Sequence, residues 1–172
     1  MKENPSIKEQ VLHPEQSTAK AVAAKGRAAS KEQPAAQTSA DECVEQLDER
    51  ICTALTAAGD KKALEMVVLD LREVASFTDY FLITSGTNVR QVQAIADEVV
   101  EQLKKQGTRP ARVEGYNTAE WVLVDYGDFI LHVFEDKARR FYDLERLWRD
   151  AKRVALPADL AGEGDDKGSL RN

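Results

Sequence analysis

Every aromatic residue of this chain lies between Phe77 and Trp148, eleven in all, and the first 40 residues hold none. Those 40 read as Ala, Gln, Lys, Glu and Ser with scattered Pro, and such a segment has too little apolar surface to offset its ordering entropy. A folded core therefore has to be built from the later part of the chain. The pattern predicts a disordered extension over 1–38, one domain over 39–156 and a disordered tail over 157–172.

Charge is distributed unevenly along these parts. Residues 1–40 carry six basic and four acidic side chains, residues 41–156 carry 16 and 22, and residues 157–172 carry two and four. A globular part of net charge −6 argues against a broad phosphate-neutralising surface, since such binding is driven by Lys and Arg releasing counterions. Its partner is expected to be protein. The two cysteines, Cys43 and Cys52, fall in a stretch expected to be one helix, where nine residues at about 100° each place them on roughly opposite faces. That spacing predicts no disulfide between them, and sparse cysteine fits a reducing cytosol. No apolar run approaches the roughly 18 residues of a membrane span. Near the N-terminus Lys2 and Lys8 lack an apolar stretch after them, and Glu9, Glu15 and Glu32 count against a transit peptide. The expected location is the bacterial cytoplasm.

Periodicity supplies the order of elements. Ser39 with Glu42 three residues on forms a capping-box pattern. Val44, Leu47, Ile51 and Leu55 make one helical stripe, and Gly59 is placed to end it in a left-handed conformation. Met66–Leu71 and Tyr80–Thr84 are short apolar runs of the kind covered on both faces of a sheet. After Ser85-Gly86-Thr87 a second helix is expected, capped by Asn88, carrying Val92, Ile95, Ala96, Val99 and Leu103, and closed by Gly107 and Pro110. Ala111–Glu114 is expected as a short strand and Gly115–Ala119 as a loop. Glu120–Val124 and Phe129–Phe134 are expected as an antiparallel hairpin across a four-residue connection. A last helix would carry Phe141, Leu144, Leu147 or Trp148, and Ala151 on one face, before Pro157 ends the order. The fold class is α/β: a single domain with a mixed sheet and packed helices.

Asp79-Tyr80-Phe81, Ser85-Gly86-Thr87 with Arg90-Gln91, Glu114-Gly115, Trp121 with Asp125, His132-Val133-Phe134, and Arg140 followed by Tyr142 through Trp148 together resemble the ribosomal silencing factor (Iojap-like) family. The similarity spans about residues 45 to 149. The resemblance implies a small mixed α/β domain of the nucleotidyltransferase-like fold. It also implies binding to the large ribosomal subunit through its fourteenth protein, a steric block to subunit joining, and repression of translation in stationary phase or starvation.

The strand period alone places Trp121, Leu123 and Asp125 on one face, opposite Val122 and Val124. Either Trp121 faces the core, or Val122 and Val124 do and Trp121 with Leu123 forms an exposed apolar patch rimmed by an acid, as protein interfaces are. The resemblance assigns Trp121 and Asp125 to the contact with the ribosomal protein. Lys137, Arg139 and Arg140 open the last helix, where cations oppose the helix dipole. They form either a solvated face or a minor contact to ribosomal RNA or an acidic side chain, with Tyr142 a further candidate for the partner surface. Arg146, Arg149, Lys152 and Arg153 are expected to balance that helix's C-terminal end.

An enzymatic alternative starts from the Ser85-Gly86-Thr87 turn, because a helix N-terminus beside Gly can cradle phosphate. Two-metal phosphoryl transfer also needs closely paired acids. Only Asp125 and Asp128 are near, at opposite ends of a turn. His132 in an apolar strand and His13 have no second ligand at zinc spacing, and neither cysteine has a positioned base. No metal or cofactor is expected. The first reading is an interaction protein; the others are a metal-dependent nucleotidyltransferase and a free homodimer with Trp121 at its self-interface.

Overall fold

The computed structural model describes Cys43 and residues 45–161. The expected cap at Ser39 and Glu42, Val44 of the first stripe, His13, and the segments 1–38 and 162–172 lie outside the described residues.

The first helix is interrupted. Cys43, Glu45 and Gln46 are helical, the chain leaves the helix at Leu47 and Asp48, and α1 begins afresh at Glu49 and runs to Asp60. The Asp48 side chain caps it, accepting from the Arg50 N–H at 2.8 Å, which satisfies one of the free donors of the first turn. This break corrects the cysteine reading, because the opposite-face argument requires an uninterrupted helix. The turn brings Cys43 back over α1, and Cys43 and Cys52 are disulfide-bonded with Cα atoms 6.0 Å apart. In a reducing compartment the same two sulfurs stand as a thiol pair, so the staple belongs to the oxidised chain. Gly59 is also not the left-handed terminator. That position is Lys62 (φ 60°), with its N–H donating to Gly59 O and the Ala63 N–H to Ala58 O, the paired bonds of a Schellman ending.

Six strands form one sheet in the order β3-β4-β5-β2-β1-β6. β1 (Leu64–Asp70) and β2 (Tyr80–Gly86) are antiparallel, and β2 runs parallel to β5 (Phe129–Glu135). β4 (Trp121–Asp125) pairs antiparallel with β5 and with β3 (Arg112–Glu114). A parallel pair inside an otherwise antiparallel sheet needs a long crossover, and α2 (Val89–Lys105) lies within it. Asn88 caps α2 through Gln91 N at 2.9 Å, and Gly107 (φ 81°) follows its end, both as the sequence predicts.

Side-chain alternation divides the core in two. Val68, Leu82, Val122, Val124, Phe129, Leu131 and Val133 face the buried stripes of α1 and α2. Leu69, Phe81, Ile83, Ile130 and Phe134 point to the other face, where Leu144, Trp148, Trp121 and Leu123 pack on them. The second face is covered by the short segments that follow β5 and by the β1–β2 connection, where Leu71 and Ala75 pack and Phe77 meets Phe81 and Trp148.

Those segments depart from the single last helix expected. α3 (Asp136–Tyr142) stops at Asp143, whose φ of 45° and ψ of 54° are left-handed, and α4 is one turn, Leu144–Leu147. A short polar side chain tolerates that conformation better than most. The stop changes the helical phase, so Leu144 is buried while Phe141 and Leu147 are 81% and 73% exposed. Lys152 and Arg153 do not balance a helix end; they belong to β6 (Lys152–Val154), which pairs with β1. Packed chain also continues beyond Pro157, with Leu160 buried in the helix-side core.

Candidate partner-binding site

The sheet settles which face Trp121 takes. Val122 and Val124 are fully buried under α2, and Trp121, Leu123 and Asp125 lie half-buried on the opposite side. Trp121 stacks on Phe134, its cross-strand partner, with ring centroids 4.9 Å apart, and touches Tyr142 at the same separation. Its indole Nε1–H donates to His132 Nδ1 at 3.0 Å. Tyr142 is half-exposed, and next to it Arg140, Phe141, Arg146, Leu147 and Arg149 line a shallow depression. The structure therefore brings Trp121, Leu123, Tyr142 and Arg140 to one side of the molecule.

Asp125 stands apart from that cluster. Asp125 closes β4, four residues from Trp121 and so roughly 13 Å along the strand. It is not without a partner: its Oδ1 accepts from the Gly127 N–H at 2.8 Å and its Oδ2 lies 3.6 Å from Arg112 on the neighbouring strand. Lys137 is exposed at the start of α3. Of the three expected cations, Arg140 pairs with Asp136 at the surface, and Arg139 belongs to no solvated face. It is buried, with its guanidinium donating to Ser85 Oγ (3.2 Å), Leu64 O (3.3 Å) and Glu145. That network ties α3 to the ends of β1 and β2 and so carries Tyr142 to Trp121.

Sequence reasoning missed the exposure of Phe141 and Leu147, because a 3.6 period continues smoothly through Asp143 and gives no sign of the stop. It also missed the pairing of Trp121 with His132. The register of the hairpin was the available signal, since diagonal neighbours on adjacent strands lie within reach of aromatic side chains. Gly115, quoted in the sequence only as part of the resemblance, acts on the same tryptophan. Its φ is +76°, and a Cβ there would stand 2.0 Å from Trp121 O, so the loop before β4 presses on the backbone of the tryptophan itself.

The electrostatics favour neutral and paired groups here. Burial pulls the His132 imidazole down to about 3, which keeps Nδ1 free to accept from Trp121. At the phosphate-cradle candidate, Thr87 N–H already donates to Gln91 Oε1 (2.8 Å) and Gln91 N–H to Asn88 Oδ1. Asp128 is paired with Arg50, so Asp125 and Asp128 each face an arginine rather than one another. Among the described residues no group of three or more His, Cys, Asp or Glu is placed to hold a metal ion, and no helix is long and apolar enough to cross a membrane.

Comparison with known proteins covers the same part of the chain. A family model described as "Ribosomal silencing factor during starvation" matches residues 44–170. The ribosomal silencing factor of Halalkalibacterium halodurans is 45% identical over 103 residues, covering 60% of this chain and 88% of that protein. A crystal structure from Bacillus halodurans superimposes with a TM-score of 0.58 at 41% identity, over 64% of this chain and all of the other. The chloroplastic Iojap protein of Zea mays is 30% identical over 124 residues, 69% of this chain and 54% of that protein. The chain belongs to the ribosomal silencing factor (Iojap-like) family, and so to the regulators of translation that act at the ribosome.

Proposed function

We propose that this protein binds the large ribosomal subunit, chiefly through its fourteenth protein, and represses translation in starvation or stationary phase by obstructing the small subunit. The observation that carries this reading is the sheet face on which half-buried Trp121 lies against exposed Tyr142. Tryptophan and tyrosine with an arginine at hand are the residue types that dominate binding energy at interfaces. Leu123 extends the apolar surface, Asp125 and Lys137 supply charge at its margins, and Arg140 is the side chain suited to a minor contact with ribosomal RNA. The block is steric and needs no reacting group, so the protein acts as a binding factor in the cytoplasm and not as an enzyme. The free chain can also use this face to pair with a second copy.

The test is co-sedimentation of the purified protein with isolated large subunits, alongside Trp121→Ala and Asp125→Lys. Trp121→Ala should weaken binding by about 2 kcal/mol, some thirtyfold, and Asp125→Lys by reversing the charge at the margin. Wild-type binding by Trp121→Ala would refute the face.

A further inference from the structure

The Trp121 indole has one polar atom, and the chain meets it with a buried histidine. His132 is only 3% exposed. It sits on β5 opposite Leu123, one diagonal step from Trp121, and its Nδ1 accepts the indole N–H at 3.0 Å. A ring nitrogen accepts only when unprotonated, so the imidazole proton must then reside on Nε2. That Nε2 is buried and has no hydrogen-bond partner among the described residues; its ring meets Phe81 edge-on at 4.5 Å. An unsatisfied buried N–H is destabilising, and a phenylalanine or leucine at this place in an apolar strand would avoid it. What the histidine provides in exchange is an acceptor at the edge of Trp121.

We propose that His132 is a positioning residue for the partner-binding face: it holds the Trp121 indole with its N–H edge inward and its ring against both Phe134 and Tyr142. The inference rests on the reading of the Trp121 face given above. Without the acceptor, the indole either leaves its N–H unpaired at the sheet surface or rotates to find water, and both release the ring from its stack. Binding then has to restore the orientation, and the entropy of immobilising one such side chain corresponds to roughly a three- to tenfold loss of affinity. His132 touches no partner itself, since it is buried beneath the face.

The experiment pairs a readout on the free protein with one on the complex. In ¹⁵N-labelled wild type, the Trp121 indole N–H, assigned with Trp121→Phe, should show hydrogen-bonded shift and slowed exchange. His132→Phe, which keeps a ring and removes the acceptor, should abolish both signatures and weaken large-subunit binding three- to tenfold while melting no lower than wild type. His132→Gln, whose carbonyl can accept the same proton, should retain the signatures and bind within about twofold of wild type. Rapid indole exchange in the wild type overturns the proposal without any variant. Unchanged affinity in His132→Phe, with Trp121→Ala weakened, overturns the positioning role but leaves the face standing. Wild-type binding by Trp121→Ala refutes the face and the positioning role together.

Discussion

Replacing Arg139 by Met tests whether its charge is a structural element or a surface one. The buried guanidinium donates to Ser85 Oγ, Leu64 O and Glu145, and removal would leave Glu145 without its near partner and Ser85 Oγ, which is fully buried, without a donor. Breaking one side of a buried pair costs about 3–5 kcal/mol where the partner is desolvated. Glu145 is 29% exposed, and water and Arg153 at 3.9 Å recover part of this, so about 2–3 kcal/mol is expected. For a domain of this size that lowers the melting temperature by roughly 8–12 °C. The matched control is Arg140→Ala, one residue on, whose surface pair with Asp136 should be worth under about 0.5 kcal/mol. Replacing both Arg139 and Glu145 by Met should be no worse than Arg139→Met alone, because no charge is then stranded. Thermal melting by circular dichroism reads all four proteins. An Arg139→Met melt within 2 °C of wild type, or indistinguishable from Arg140→Ala, would refute the network.

His132 makes stability pH-dependent in a defined window: its value falls from 6.5 in the unfolded chain to about 3 in the fold, so the unfolded state binds the extra proton between those values. Stability should therefore be unaffected by this group above pH 6.5 and decline by up to about 1.4 kcal/mol per unit on acidification below it; His132→Phe should flatten the slope between pH 6 and 4.5 in denaturant titrations. Gly115→Ala places a Cβ against Trp121 O at a positive φ and should destabilise by roughly 2–4 kcal/mol, with a melt near wild type as the contrary result. Reduction of the Cys43–Cys52 bond, which closes a loop of about ten residues, should lower stability by up to about 2.5 kcal/mol, an effect absent in Cys43→Ser; equal melts with and without reductant, in a chain shown by thiol titration to be oxidised, would contradict it.

The sequence was most informative where one local signal fixed one structure. Asn88 with Gln91 opens α2 and Gly107 closes it because capping and a left-handed glycine are local chemistry. The alternation of Trp121 to Asp125 defined two candidate faces, and only the position of α2 over Val122 and Val124 chose between them. The errors have a common physical origin. A helical period passes unchanged through a stop, so Leu47–Asp48 and Asp143 were invisible, and with them went the Cys43–Cys52 pairing and the exposure of Phe141 and Leu147. Arg139 was misread for a similar reason: a charge run is usually solvated, and only the fold shows that its middle member points at the ends of β1 and β2.

The central claim is that the protein keeps the ribosomal subunits apart by occupying the large one. Separated subunits mixed in the presence of increasing protein, with monosomes resolved on a sucrose gradient, measure this directly. The account predicts that monosomes fall as the protein saturates the large subunit, with the protein sedimenting there, and that Trp121→Ala shifts the curve about thirtyfold to higher concentration. Undiminished monosome formation at protein concentrations that saturate the large subunit would contradict it.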